Sequence, residues 1–183
     1  MKLLMILADG FEDVEAIATC DVLLRGKEIV DRVSVTGNNE IISKNTNKLR
    51  VNFKIDEVDI TSYDGLIIPG GPASFTILDK LPVVNDLIHY FMKENKLVSA
   101  ICAAPFLIGR LGYLNGKNFT VHPGFEDQVI GGTYLREKGV VRDGNIITAK
   151  SMYYSIEFGL AIYEYFHGRE AREILEKSLQ GEK

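Results

Sequence analysis

The chain has 183 residues and a mass of 20.4 kDa, with 21 Lys and Arg against 25 Asp and Glu and a formal net charge of -4. That length suits one domain, residues 1-183, with a well-covered core, and no second composition block interrupts it. A pI near 5.4 without a basic cluster argues against nucleic-acid partners, and no apolar run approaches the roughly 20 residues of a membrane helix.

The opening stretch superficially resembles a signal peptide, but its apolar part is short and stops at Asp9-Gly10, so it reads as a buried first strand, Leu3 to Ala8. A helix follows from Glu12 to Arg25. Its apolar residues, Val14, Ala16, Ile17, Ala18, Cys20, Val22, Leu23 and Leu24, fall on several faces, which predicts burial on more than one side and a subunit contact along it. After a strand at Val33 to Thr36, the turn residues Gly37-Asn38-Asn39 and Asn45-Thr46-Asn47 frame two short strands, Glu40 to Ser43 and Lys48 to Phe53. They predict a hairpin at the sheet edge. Next come a strand at Leu66 to Ile68, a helix at Val83 to Met92, a strand at Val98 to Ile101 and a helix from Ala103 to about Leu111. Strands at Asn118 to Val121, near Val140 and at Ile146 to Ala149 precede two closing helices, Tyr153 to Phe166 and Arg169 to Leu179, broken at His167-Gly168. The alternation of short apolar runs with helical patterns indicates an α/β fold with a mostly parallel sheet covered on both faces.

The two cysteines, Cys20 and Cys102, form neither a metal-ligand spacing nor a disulfide framework, which points to a reducing, cytoplasmic setting. Cys102 lies in Val98-Ser99-Ala100-Ile101-Cys102-Ala103-Ala104-Pro105, where an apolar strand ends abruptly at a thiol before small residues and a proline. Such a strand-to-helix corner exposes the side chain, and the free N–H groups of the helix start lower a thiol's pKa and offer donors to an anion. The alternative is a small buried hydrophobe, the commonest role of a free cysteine.

Three other segments belong at the same edge of the sheet, where parallel strands end and ligands collect. Pro69-Gly70-Gly71-Pro72 is either a tight turn or a place where backbone N–H groups reach a ligand, Gly71 and Ala103 then forming an oxyanion hole from two loops. In Asp9-Gly10-Phe11-Glu12-Asp13-Val14-Glu15, helix-dipole stabilisation accounts for Glu12 and Asp13. Glu15 lies deeper on an apolar helix, where an ionised carboxylate is costly unless it is paired or protonated: it is a structural salt-bridge partner or a carboxyl bonded to a reactive sulfur. Among the histidines, His89 is mid-helix and His167 ends one, whereas His122 follows a strand and precedes Pro123-Gly124, a position that reaches into a cleft. No cluster has metal-ligand spacing, and no cofactor motif is present.

Taken in order, these segments, with Ser155-Ile156-Glu157-Phe158, closely resemble the DJ-1/ThiJ/PfpI superfamily over nearly the whole chain, and most of all its DJ-1-like branch. The resemblance implies a flavodoxin-like three-layer sandwich, a nucleophile elbow at Cys102 and a homodimer, with no cofactor. It also implies that Glu15 is the acid whose protonated carboxyl bonds the sulfur, that Cys102 is an oxidisable nucleophile, that His122 is the nearby histidine, and that Gly71 and Ala103 are the backbone donors. There are two departures. The PfpI peptidases carry a histidine directly after the cysteine, where this chain has Ala103, and Lys150-Ser151-Met152-Tyr153-Tyr154 replaces an arginine followed by a Gly-Pro-Gly loop. The second departure is expected to reshape the pocket and the subunit contact.

The function this implies is a reactive-cysteine protein of oxidative or carbonyl stress, acting on small aldehydes such as methylglyoxal by a glyoxalase or deglycase reaction. Its partners would be a small aldehyde or an oxidant and a second copy docked through the Glu12 to Arg25 helix. The alternatives are a non-enzymatic redox sensor or chaperone, and a PfpI-type peptidase or amidase, which Ala103 disfavours.

Overall fold

The computed structural model describes residues 1–182. In chain order the elements are β1 (Lys2–Leu7), α1 (Asp13–Arg25), β2 (Ile29–Ser34), β3 (Glu40–Ile42), β4 (Lys48–Arg50), β5 (Phe53–Lys54), β6 (Gly65–Ile68), α2 (Ala73–Thr76), α3 (Pro82–Lys93) and β7 (Leu97–Ile101). They continue with α4 (Pro105–Gly109), β8 (Asn118–Phe119), β9 (Thr133–Tyr134), β10 (Val140–Asp143), β11 (Ile146–Ala149) and α5 (Ser155–Leu179).

Seven strands form one sheet in the order β10-β11-β7-β6-β1-β2-β5, parallel except where β10 runs against β11. The sequence predicts this: β6, β7 and β11 are buried at every position, as strands covered on both faces must be, so they read as unbroken apolar runs. The chain steps from β1 to β2 in one direction and from β6 to β7 in the other. Right-handed crossovers therefore put α1 and α3 on opposite faces, giving the three-layer flavodoxin-like sandwich. α5 packs along α1, and Gly159 lets the helices approach so closely that a Cβ there would lie 2.9 Å from Val22 Cβ.

Several boundaries differ from those the sequence predicts. The hairpin β3–β4 is a separate two-stranded sheet, and the edge beside β2 is taken by β5. The reason is a long-range attachment: Gly10 N–H donates to the Ile42 carbonyl, Ile42 N–H donates to Asp9, and Phe11 bridges to Ser43, so the hairpin folds over the loop after β1. Its turn is held by Asn45 and Asn47, which donate to the Asp13 carboxylate at 2.9 and 2.7 Å. Helix dipole alone therefore does not account for Asp13.

β8 pairs with β9 outside the main sheet, and the helix after Cys102 is only five residues long. The two closing helices are present and meet at Gly168 (φ 81°, ψ 173°), as the His167-Gly168 break predicts. His167 Nε2 lies 2.6 Å from the buried Glu28 carboxylate, a partner the sequence does not reveal. On α1, burial is one-sided in this single chain: Glu15, Ala16, Thr19, Cys20, Val22 and Leu23 are buried, while Val14, Ile17 and Leu24 are 39%, 50% and 51% exposed along one stripe. No helix among the described residues is long and apolar enough to cross a membrane.

Candidate functional site

The carboxyl ends of β1, β6 and β7 are adjacent at the point where the strand order reverses, and each delivers one part of a site. From β7 comes Cys102, whose φ of 63° is rare for a side chain larger than glycine's and costs on the order of 1–3 kcal/mol. The surroundings impose it: Cys102 N–H donates to the Ala149 carbonyl on β11, and the Cys102 carbonyl accepts from His122 N–H, both at 2.8 Å. The strand therefore stops at a fixed corner with the sulfur turned outward, half-buried.

From β6 come Pro69-Gly70-Gly71. Gly70 has no room for a side chain, because a Cβ would sit 2.6 Å from Glu15 Oε2, 2.7 Å from Cys102 Cβ and 2.8 Å from the Ile101 carbonyl. Gly71 (φ 87°) passes just as close to backbone, with a Cβ there lying 2.6 Å from both the Glu12 nitrogen and the Gly10 oxygen. Sequence alone singles out Gly71 in this turn. The structure adds Gly70, whose N–H donates to Glu15 Oε2 at 2.8 Å.

From β1 and α1 comes Glu15, only 1% exposed, in hydrogen-bonding contact with the Cys102 sulfur across Gly70. Burial pushes its pKa from 4.5 up to about 7, partly offset by its bonds to Cys102 and Gly70. Burial also pushes the Cys102 thiol up, to about 12, together with the charge of Glu15, while the N–H groups of Ala103 and Gly71 on the sulfur oppose this. The corner alone predicts a lowered thiol pKa, and this expectation is corrected. α4 is short and starts three residues later, so its dipole is a weak influence beside burial and an adjacent carboxylate. The two groups titrate as a pair, and the first proton leaves near neutrality.

Around this pair is a cleft of about 250 Å³, small for a ligand site. One wall is polar: Glu12, 4% exposed, is ion-paired with Lys44 of the hairpin turn, which raises the Lys44 pKa. Nothing in the sequence signals this pair, since Lys44 is brought in by the hairpin fold-over. The other wall is apolar, formed by Phe75, Phe125 and Met152. His122 lines the rim with Nδ1 3.0 Å from the Pro123 carbonyl oxygen, and its ring makes no hydrogen bond to the Cys102 sulfur. Met152 of the departing loop does enter the cleft, whereas Tyr153 is 82% exposed and does not line it. No group of side chains among the described residues could hold a metal ion. Cys102, Glu15, His122, Gly71 and Ala103 are thus brought to one cleft.

The fold and site are those of an α/β sandwich with a cysteine nucleophile elbow partnered by a carboxyl group. The DJ-1/PfpI family profile matches residues 1–165, and the chain belongs to that family, in its DJ-1-like branch. It is 30% identical over 177 residues to Protein dj-1beta of Drosophila melanogaster, covering 96% of this chain and 95% of that protein. The crystal structure of the Drosophila protein superposes with a TM-score of 0.91 at 29% identity, covering 98% of each chain. Protein DJ-1 homolog B of Arabidopsis thaliana is 33% identical over 170 residues, 92% of this chain, which spans only 39% of that longer protein. The structure of oxidized DJ-1 from Toxoplasma gondii superposes with a TM-score of 0.89 at 25% identity, covering 98% of this chain and 97% of that one.

The raised Glu15 pKa sets a stability test. A carboxyl raised from 4.5 to about 7 favours folding fully below its unfolded value, and that contribution is lost as pH rises through about 7, on the order of 3 kcal/mol in all. Denaturant unfolding should therefore show wild-type stability declining between pH 5 and 8, and Glu15→Gln with a visibly flatter profile. Parallel profiles would exclude a buried, titrating Glu15.

Proposed function

We propose that this protein is a reactive-cysteine enzyme of carbonyl stress that converts small 2-oxoaldehydes to 2-hydroxy acids without a cofactor. The observation that carries the reading is the buried Glu15 carboxyl in contact with a sulfur that also faces two backbone N–H donors. The Cys102 sulfur adds to the aldehyde carbon of methylglyoxal, its proton passing to Glu15, and the oxygen is held by the Gly71 and Ala103 N–H groups. Glu15 delivers a proton to that oxygen, giving a hemithioacetal. As a carboxylate it then removes the hydrogen on the same carbon and returns it to the neighbouring carbon, while the hydroxyl proton passes from the first oxygen to the neighbouring one, leaving a thioester and a hydroxyl group. Water cleaves the thioester, releasing lactate and the thiol, so methylglyoxal plus water gives lactate with no external oxidant. A carboxyl titrating near 7 suits a group that must both give and take a proton at neutral pH. Enzymatic determination of lactate tests this: wild type should turn over methylglyoxal, with Cys102→Ala and Glu15→Gln at least about 100-fold slower. Equal rates for the three proteins would refute it.

A second reading, a redox sensor or chaperone controlled by oxidation of Cys102, is supported by the same donors. A sulfinate on Cys102 would accept from Gly71, Ala103 and protonated Glu15. That the Toxoplasma gondii DJ-1 structure is of an oxidized protein fits this chemistry. With graded peroxide, mass spectrometry should show Cys102 gaining two oxygens before the buried Cys20 gains any, and the reverse order would remove the sensor reading. A PfpI-type peptidase is disfavoured, because Ala103 stands where that branch has its histidine.

For assembly, the exposed stripe of Val14, Ile17 and Leu24 on α1 supports a homodimer built on that helix, and two free cysteines suit a reducing, cytoplasmic compartment. Sedimentation at micromolar concentration should return twice the 20.4 kDa chain mass. A monomer that persists at high concentration would contradict the dimer.

A further inference from the structure

The two walls of the cleft differ in kind, and the difference bears on what the site accepts. Phe75 is the first bulky residue after the Gly70-Gly71 turn, on α2, and is 43% exposed. Its ring lies 5.4 Å from that of Phe125, tilted by 36°. Phe125 in turn lies 5.7 Å from the buried Phe106 and meets the His122 ring edge-on at 6.4 Å. Together they form a row of rings that begins in the core and ends at the cleft mouth beside Cys102. Met152, 44% exposed, adds a flexible apolar side chain to the same cleft. On the polar wall, Glu12 and Lys44 are already paired with each other.

An electrophile attacked by Cys102 directs its reacting oxygen toward the Gly71 and Ala103 N–H groups. Its other substituent must then lie along a wall. Along the apolar wall, a charged or strongly hydrated substituent would lose water against Phe75 and Phe125 without gaining a partner there, whereas a compact apolar ring would stack on them in an offset or edge-on geometry.

We propose that the Phe75–Phe125–Met152 wall makes Cys102 selective for electrophiles carrying a compact, apolar and preferably planar substituent next to the reacting carbon. In the carbonyl reaction, on whose assignment this substrate class rests, these are aryl and branched-alkyl 2-oxoaldehydes ahead of glyoxal or methylglyoxal. The balance is as before: phenylglyoxal plus water gives mandelate. The sulfur adds to the aldehyde carbon, Glu15 carries the hydrogen to the neighbouring carbon, and water cleaves the thioester.

Two measurements on the full chain separate the selectivity from the reaction. The first is kcat/KM for phenylglyoxal and methylglyoxal with wild type, Phe75→Ala and Phe75→Leu, with mandelate and lactate quantified by chromatography. Wild type should prefer phenylglyoxal by about tenfold or more, the ratio should approach one in Phe75→Ala, and Phe75→Leu should retain part of it. The second, which needs no turnover, compares the rates at which iodoacetamide and N-benzyl iodoacetamide alkylate Cys102, read by intact mass. Wild type should favour the benzyl reagent severalfold over a free-thiol reference, and Phe75→Ala should lose that bias. Selective alkylation without turnover of any aldehyde would uphold the wall and overturn the glyoxalase assignment. Turnover without preference, or alkylation without bias, would overturn the wall.

Discussion

The site depends on one proton held between Glu15 and Cys102 in a place that water reaches poorly. Burial raises both groups, and their contact then works in opposite directions: the thiol's hydrogen bond eases ionisation of Glu15, while the Glu15 charge pushes the thiol further up. The backbone donors divide the resulting charge. Gly70 N–H serves the carboxylate, while Gly71 and Ala103 N–H serve the sulfur. Three amides from two loops therefore set where a single negative charge rests.

That arrangement requires close approach of backbone to backbone, and the chain meets the requirement with glycine and with strain. Gly70 lies in a gap bounded by Glu15, Cys102 and Ile101, and any side chain there would force apart the two groups whose contact matters. Gly71 meets the β1–α1 loop as tightly, and Glu12 N–H donates to the Gly70 carbonyl, locking the two loops together. The unfavourable φ of Cys102 is held because its N–H and carbonyl are both bonded to other segments. The Asn45 and Asn47 clamp on Asp13 and the Lys44–Glu12 pair then fasten the hairpin over the same loop, so the polar wall is built from a segment distant in sequence.

How much of this is legible in the sequence follows from the range of the interactions. The strands β1, β6, β7 and β11 are buried on both faces, and their apolar runs announce them directly. Cys102 at the end of such a run and Glu15 on an apolar helix are local anomalies, and they mark the centre of the site. The hairpin is misplaced by sequence reasoning because its turn residues specify a hairpin but not what it leans on, and its contacts to Asp9, Gly10 and Phe11 join segments some 30 residues apart. The thiol is misjudged for a related reason. A helix start can be read from Pro105, but the enclosure of the sulfur by three loops exists only after folding.

The distribution of proton-carrying groups also favours one chemistry over another. A peptidase needs a base that takes the thiol proton and then delivers it to a departing amine on the far side of the scissile bond. His122 is poorly disposed for this, with Nδ1 directed at the Pro123 carbonyl and no bond to the sulfur. Glu15 lies beside the Cys102 side chain, its carboxylate fixed by the Gly70 N–H. Its titration near neutrality lets the same oxygen accept and return a proton. The proton-carrying group set beside the sulfur is therefore a fixed carboxyl, and not the histidine that a peptidase would use.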